Sequence, residues 1–280
     1  MIVVGLETSS TNAGIAVIRG GRVLAETSLE VGAVHAEKLP GLLERTMGDL
    51  GLQWTEVEGF AISIGPGSYT GLRVGLSLVK GLAYVTKKPV AAVPTLDAIA
   101  FRVPCCRYPV HVLADARRGR VYEARYDTAG GWPKQITDFR VGPLEDMLES
   151  IEDEVLLVGS GVDEHRARIV SALGERACFP PPGTGRLMAS STAFLGLDRL
   201  KRGEQADLNG LEPLYLRKTD FATQPPSRLG QSPPADASPG SPGPSSDPPA
   251  DASPGQSDPP DPSGPPDPPR PAGRTETASD

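Results

Sequence analysis

Residues 62–84 read ISIGPGSYTGLRVGLSLVKGLAY. An apolar run ends at Gly65-Pro66-Gly67. Ser68 or Thr70 can cap a helix that follows, because a hydroxyl there accepts a free N–H of the first turn. A strand feeding a helix through glycines turns backbone N–H groups and the positive end of the helix dipole toward one point. That suits an anion, and it equally suits a tight turn without a ligand. The Gly-Lys-Ser/Thr ending of a phosphate-binding P-loop is missing, and Lys80 falls well inside the helix. Glu7 ends the first apolar run and precedes Thr8-Ser9-Ser10-Thr11-Asn12. Its carboxylate can orient a cation or a phosphate, or it can hold that hydroxyl-rich turn in shape. Asp115 takes the matching place in the second half. The histidines are His35, His111 and His165, and none forms an HExxH pair. No GxSxG elbow occurs. The residues taken alone compose no catalytic set and no metal-ligand set. The nucleotide-contacting candidates are Glu7, Ser9, Gly65 and Gly67.

The helix after the turn carries a second signal. Arg73, Ser77, Lys80 and Tyr84 form one stripe, and Leu72, Leu76, Val79 and Ala83 a second. Gly71, Gly75, Leu78 and Leu82 form a third, with Val74, Gly81 and Val85 beside it. A helix lying on one sheet needs a single apolar stripe. Glycine inside a helix costs roughly 1 kcal/mol relative to alanine. Three of them point to another backbone close by, either an element of the same domain or a partner subunit.

Composition divides the chain. Residues 225–280 hold 18 of the 30 prolines and no Phe, Trp or Tyr, and the octapeptide PPADASPG occurs twice. Such a segment buries too little apolar surface to offset its ordering entropy and reads as a disordered tail over residues 218–280. Residues 225–280 carry three Arg against eight Asp and Glu, so of the net charge of −7 the rest of the chain holds only −2. A near-neutral body with an acidic tail does not suit an autonomous nucleic-acid binder. Adjacent Cys105 and Cys106 and a lone Cys178 read as free thiols, which fits a reducing cytoplasm. The N-terminus MIVVGLETSS reads as a first strand and not as a signal peptide, and no run approaches a membrane span.

Around the central stretch, residues 2–6, 14–19, 22–29, 60–64 and 89–93 read as strands. Residues 35–50 and a short stretch from Thr95 read as helices. This order joins an antiparallel start to parallel crossovers, giving a first lobe over residues 1–103. A similar order follows over residues 104–217: strands at 109–115, 120–126, 135–141, 155–158 and 176–179, and helices at 143–150, 163–173 and 187–202. Residues 211–217 read as extended. Two similar halves suggest duplication of an α/β unit with a cleft between the copies.

Several segments resemble one family. LETSSTNAGIAV is similar to the first-strand motif of the actin, sugar-kinase and heat-shock ATPase superfamily. HAEKLPGLLERTM, the whole central stretch through VPTLDAIA, LADARRGRVYEARY and EPLYLR together resemble the TsaB (YeaZ) family. That family serves the synthesis of N6-threonylcarbamoyladenosine (t6A) in tRNA. The resemblance implies two ribonuclease-H-like lobes, each a mixed sheet flanked by helices. It also implies a non-catalytic subunit that binds the catalytic transferase TsaD, works with the ATPase TsaE, can self-associate and meets tRNA only indirectly. ATP or ADP and a divalent metal would belong to the partner complex and not to this chain. The implied interface lies on the two N-terminal helices: His35, Leu39, Leu42, Leu43 and Thr46 on one, Gly71, Val74, Gly75, Leu78 and Leu82 on the other. Where the catalytic relative carries a metal-binding HxxxH, this chain has Thr95 and Ile99. The competing expectation is a stand-alone ATP-dependent carbamoyl- or phosphotransferase of the same superfamily.

Overall fold

The computed structural model of the 280-residue chain describes residues 1–30 and 35–216, without the side chains of residues 35–37. The expected tail, residues 218–280, lies outside the described residues. Contacts group Met1–Thr223 as one unit. It contains strands β1 (Ile2–Glu7), β2 (Asn12–Arg19), β3 (Arg22–Glu30), β4 (Gly59–Gly65) and β5 (Val90–Pro94), and helices α1 (His35–Asp49), α2 (Tyr69–Thr86) and α3 (Thr95–Ala100). The first sheet runs β3-β2-β1-β4-β5. β1 pairs antiparallel with β2 and parallel with β4, and β4 pairs parallel with β5.

The second half supplies β6 (Val110–Asp115), β7 (Arg120–Asp127), β8 (Lys134–Gln135), β9 (Arg140–Pro143), α4 (Leu144–Glu149), β10 (Val155–Val158), α5 (Ser160–Leu173), β11 (Ala177–Cys178) and α6 (Ala189–Lys201). Its sheet runs β11-β10-β6-β7-β8, with β9 also on β7. β6 is antiparallel to β7 and parallel to β10, and β10 is parallel to β11. β6 therefore stands where β1 stands in the first sheet, and the ribonuclease-H-like order occurs twice. The single strand expected over residues 135–141 is two short ones, β8 and β9, flanking residues 136–139.

Alternation along the strands sends each side chain to one of two layers. Ile2, Val4 and Leu6 of β1 and Phe60 and Ile62 of β4 join a core with Leu39, Leu43 and Met47 of α1 and Leu72, Leu76 and Val79 of α2. Val3 and Ala61 face the other way and meet Ala189, Ala193 and Leu197 of α6. The α6 side is lined with small residues. A Cβ at Gly5 would meet Ala193 Cβ at 2.7 Å, and one at Gly196 would overlap Ala61 Cβ. This helix thus lies unusually close to the sheet, and Ser190, Ser191 and Thr192 are buried with it.

Chain order does not predict this placement. α6 falls within residues 104–217 but covers the first sheet, so it is a buried helix and not an amphipathic surface one. Conversely α3, within residues 1–103, packs Leu96 and Ile99 into a core with Val110, Val112 and Tyr126 of the second sheet. The halves thus exchange helices. Residues 211–216, within the stretch read as extended, form no strand; Leu214 N–H donates to Ile64 C=O at 2.7 Å.

The exchange is fastened by one polar cluster. Tyr126 O–H donates to Asp97 Oδ1 at 2.8 Å, and Arg199 Nη2 reaches Asp97 Oδ2 at 3.1 Å. Burial pushes the Asp97 carboxyl above its ordinary range, against the hydrogen bond from Tyr126 and the charge of Arg199. The same burial pushes the Tyr126 phenol up, and the charge of Asp97 adds to it. Asp97→Ala would leave a buried hydroxyl and a half-buried guanidinium without their acceptor, and is expected to cost about 2–3 kcal/mol in urea unfolding. Asp97→Asn keeps the acceptor for Tyr126 and should cost less.

Candidate functional site

Glu7 is the most connected polar side chain at the end of β1. It is 1% exposed and faces the α6 side of the sheet. One carboxylate oxygen accepts from Ser9 N–H at 2.7 Å and Ser9 Oγ–H at 2.5 Å. The other accepts from Ser63 Oγ–H on β4 and from Thr192 Oγ1–H on α6 at 3.3 Å. Burial pushes its pKa above the usual carboxylate range, and the bonds from Ser63, Ser9 and Thr192 work in the opposite direction. Its hydrogen bonds go to the β1–β2 turn and to the seam between sheet and helix. Of the two roles open to it in the sequence, this geometry serves holding the turn in shape.

The turn so held is what α2 packs against. Ser68 caps α2, its Oγ accepting from Gly71 N–H at 3.2 Å. Ser68 N–H itself donates to Ser9 C=O at 2.6 Å. A Cβ at Gly67 would overlap Ser9 C=O, and one at Gly65 would come within 3.0 Å of Leu214 C=O. Both glycines of the candidate anion cradle are thus covered by backbone of the same chain, and the Ser68 donor is committed to Ser9. The two helical glycines follow the same logic. A Cβ at Gly71 would overlap Thr8 C=O, and one at Gly75 would overlap Thr8 Oγ1. The backbone that comes close to α2 at these positions is the β1–β2 turn.

The residues of the expected interface divide between two sides of α1 and α2. Leu39, Leu42, Leu43, Thr46, Gly71 and Gly75 are buried in the protein's own core. They face inward because α1 and α2 each turn one side to the sheet. The His35 side chain lies outside the described residues. Val74, Leu78 and Leu82 are half-buried on the outer side of α2, beside exposed Ser77, Gly81, Tyr84 and Val85. Tyr84 is 70% and Val85 78% exposed. A Cβ at Gly81, or at Gly41 and Gly48 of α1, would meet nothing within 4 Å. Leu39, Pro40, Arg73, Val74, Ser77 and Leu78 line a shallow groove of about 310 Å³ between the two helices. Sequence reasoning singled out Gly81 with Gly71 and Gly75 but missed Gly41 and Gly48, whose signal was present: helical glycines outside the apolar stripe.

Between the lobes lies a cleft of about 1390 Å³. The first lobe contributes Ser9, Asn12, Gly67, Ser68 and Tyr69, and the second Asp115, Arg117, Gly159, Ser160 and Arg186. Of the nucleotide-contacting candidates, Ser9 and Gly67 reach its wall, while Glu7 and Gly65 do not line it. Thr95 and Ile99 also line it. One hydroxyl and one alkyl side chain do not make a metal-ligand pair, so the metal of the HxxxH relatives does not fit these positions. Among the described residues, no group of three or more His, Cys, Asp and Glu side chains could hold a metal ion.

His111 sits in the second lobe, 3% exposed, with Nδ1 3.7 Å from Glu123 Oε1. Burial, then the charges of Arg125 and Arg140, lower its pKa to about 3. The imidazole is therefore neutral at pH 7, and its approach to Glu123 is not an ion pair. Glu123 pairs instead with Arg140 at 2.5 Å and Arg125 at 3.5 Å. Asp115 accepts from Arg117 N–H at 2.9 Å and so shapes its own turn. The three cysteines are free. Among the described residues, no helix is long and apolar enough to cross a membrane.

Comparison with known proteins places this geometry. Residues 29–196 match the family described as TsaD: tRNA N6-adenosine threonylcarbamoyltransferase. The tRNA threonylcarbamoyladenosine biosynthesis protein TsaB of Bacillus subtilis is 30% identical over 220 residues, covering 78% of this chain and 94% of that one. The TsaB of Escherichia coli is 28% identical over 167 residues, covering 58% and 72%. The solved structure of YeaZ from Pseudomonas aeruginosa superposes with a TM-score of 0.64 at 24% identity, covering 76% of this chain and all (100%) of that one. With the duplicated sheet order and the Bacillus match over nearly the whole length of that relative, the chain belongs to the TsaB (YeaZ) family.

Proposed function

We propose that this chain is the non-catalytic docking subunit of the machinery that makes t6A in tRNA. In this reading the outer side of α1 and α2 binds and stabilises the catalytic threonylcarbamoyltransferase, TsaD. The observation that carries it is the set of helical glycines the fold does not use. Gly41, Gly48 and Gly81 have open space around them. Each costs helix stability roughly on the scale of 1 kcal/mol relative to alanine. On α2, Val74, Leu78, Leu82 and Val85 leave apolar surface beside Gly81, and small residues there let a second helix approach closely.

The remaining parts follow from this role. ATP or ADP and a divalent metal act in the partner complex, where the ATPase TsaE also joins. The tRNA is held mainly by the partner, the same face can pair two copies of this chain, and the setting is the cytoplasm. The Thr95 and Ile99 positions, which lack imidazoles, support a subunit whose chemistry resides elsewhere.

The test is a transfer assay with tRNA and the threonylcarbamoyl donor system. The purified chain alone is expected to modify no tRNA. Adding it to the catalytic subunit and the ATPase should raise transfer well above what those proteins give without it. Robust transfer by the chain alone would contradict the reading and favour the stand-alone transferase.

A further inference from the structure

Arg73 stands at one end of the groove between α1 and α2, which is otherwise lined by Leu39, Pro40, Val74, Ser77 and Leu78. Its guanidinium lies 5.0 Å from the centre of the Tyr69 ring, and Nη1 donates to Tyr69 Oη at 2.8 Å. The Tyr69 ring stacks on Tyr215, with centroids 5.2 Å apart and planes at 29°. Tyr215 is carried by the segment that Leu214 fastens to β4. Guanidinium, ring and ring thus form a stack whose last member is anchored to the sheet. Among the described residues, no carboxylate pairs with Arg73. A permanently charged fork is therefore held in a fixed pose at the rim of an apolar groove, with no ion-pair partner among the described residues.

We propose that this face selects its partner by charge: the groove takes the apolar ridge of a partner helix, and a carboxylate beside that ridge pairs with Arg73. The inference rests on the docking role proposed above and adds the chemistry of the occupant. An apolar groove alone accepts any ridge of suitable width. Docking also strips water from Arg73, which is costly unless an acceptor of opposite charge replaces it. A carboxylate matches the planar fork with two parallel hydrogen bonds, and a basic or apolar neighbour leaves the charge stranded. The tyrosine stack holds the fork in place beforehand, so little side-chain entropy is lost on pairing. Tyr69 and Tyr215 also line the interlobe cleft, so the charged end of the groove borders the cleft mouth.

The experiment measures binding of the full chain to the catalytic subunit of the t6A machinery at low and high salt, with three variants. Arg73→Met is expected to weaken binding about tenfold and to remove most of its salt dependence. Arg73→Glu should weaken it about a hundredfold at low salt, because two carboxylates would then face each other. Val74→Asp, which places a charge inside the groove, reads docking itself and should abolish binding. Arg73 is exposed, so unchanged helicity and melting of its variants are expected and are checked. Wild-type binding by Arg73→Glu alongside loss in Val74→Asp would overturn the charge selection and leave the docking role standing. Wild-type binding by all three would overturn both. A chain that pairs with itself and ignores the catalytic subunit would put a second copy in the groove and also overturn the inference.

Discussion

Gly75→Trp is expected to prevent folding, whereas Gly81→Trp, six residues further along the same helix, should fold normally and lose its partner. The two glycines look alike in the sequence but have different surroundings. A Cβ at Gly75 would overlap Thr8 Oγ1 and come within 3.1 Å of Ile62 Cδ1. An indole there has to displace the β1–β2 turn, which Glu7 holds through Ser9. Overpacking by even a few methylenes typically costs about 1–3 kcal/mol, and an indole exceeds that range. At Gly81 the added side chain projects into open space. Alanine gives the gentler version. Gly71→Ala and Gly75→Ala should lower stability by about 1–3 kcal/mol, and Gly81→Ala should raise it by about 1 kcal/mol. Urea midpoints by circular dichroism check both signs. A stable, folded Gly75→Trp protein would remove the account of α2 packing.

Removing the Glu7 carboxylate is the second large effect. Glu7→Leu leaves Ser9 N–H and Oγ–H without their acceptor, and leaves the buried hydroxyls of Ser63 and Thr192, 3.1 Å apart, with only each other. Each orphaned buried donor costs about 1–3 kcal/mol, so the chain is expected to lose at least about 3 kcal/mol. Glu7→Gln keeps an acceptor and separates charge from shape. Since burial raises the folded-state pKa above the ordinary 4.5, the folded chain holds a proton that the unfolded chain releases. Stability therefore falls as pH rises from about 4.5 through the folded-state value, and is level above it. Asp97 contributes with the same sign, because its pKa is raised as well. The difference between wild type and Glu7→Gln across this range isolates Glu7: the wild type should show the fall and the variant should lack that part. Equal slopes in the two proteins would mean that Glu7 is not buried as a carboxylate.

Gly75 and Glu7 also mark how far residue order alone discloses the fold. The β1 run, the adjoining strands at 14–19 and 22–29, the Ser68 cap and the α2 stripes are local patterns, and each is found in the fold. The duplication followed from element order, and the sheet arrangement of each half from the family resemblance. What stayed hidden depends on distant partners. Glu7 meets Ser63 across 56 residues and Thr192 across 185. α6 reads ASSTAFLGLDRLK, a weak amphipathic pattern. Its burial becomes intelligible only when Gly5 and Ala61 are known to face it. Gly71 and Gly75 announced a close backbone, but the sequence could not say whose. The fold supplies that backbone from the β1–β2 turn, and the open glycines became visible as a separate set.

The docking face is tested most directly by the mass of the assembly on size exclusion with light scattering. Wild-type chain mixed with the catalytic subunit is expected to elute as a complex of the two. Gly81→Trp, with unchanged helicity and melting, is expected to leave both proteins at their separate masses. A full complex with folded Gly81→Trp would contradict the assignment of the outer α1–α2 side as the docking surface.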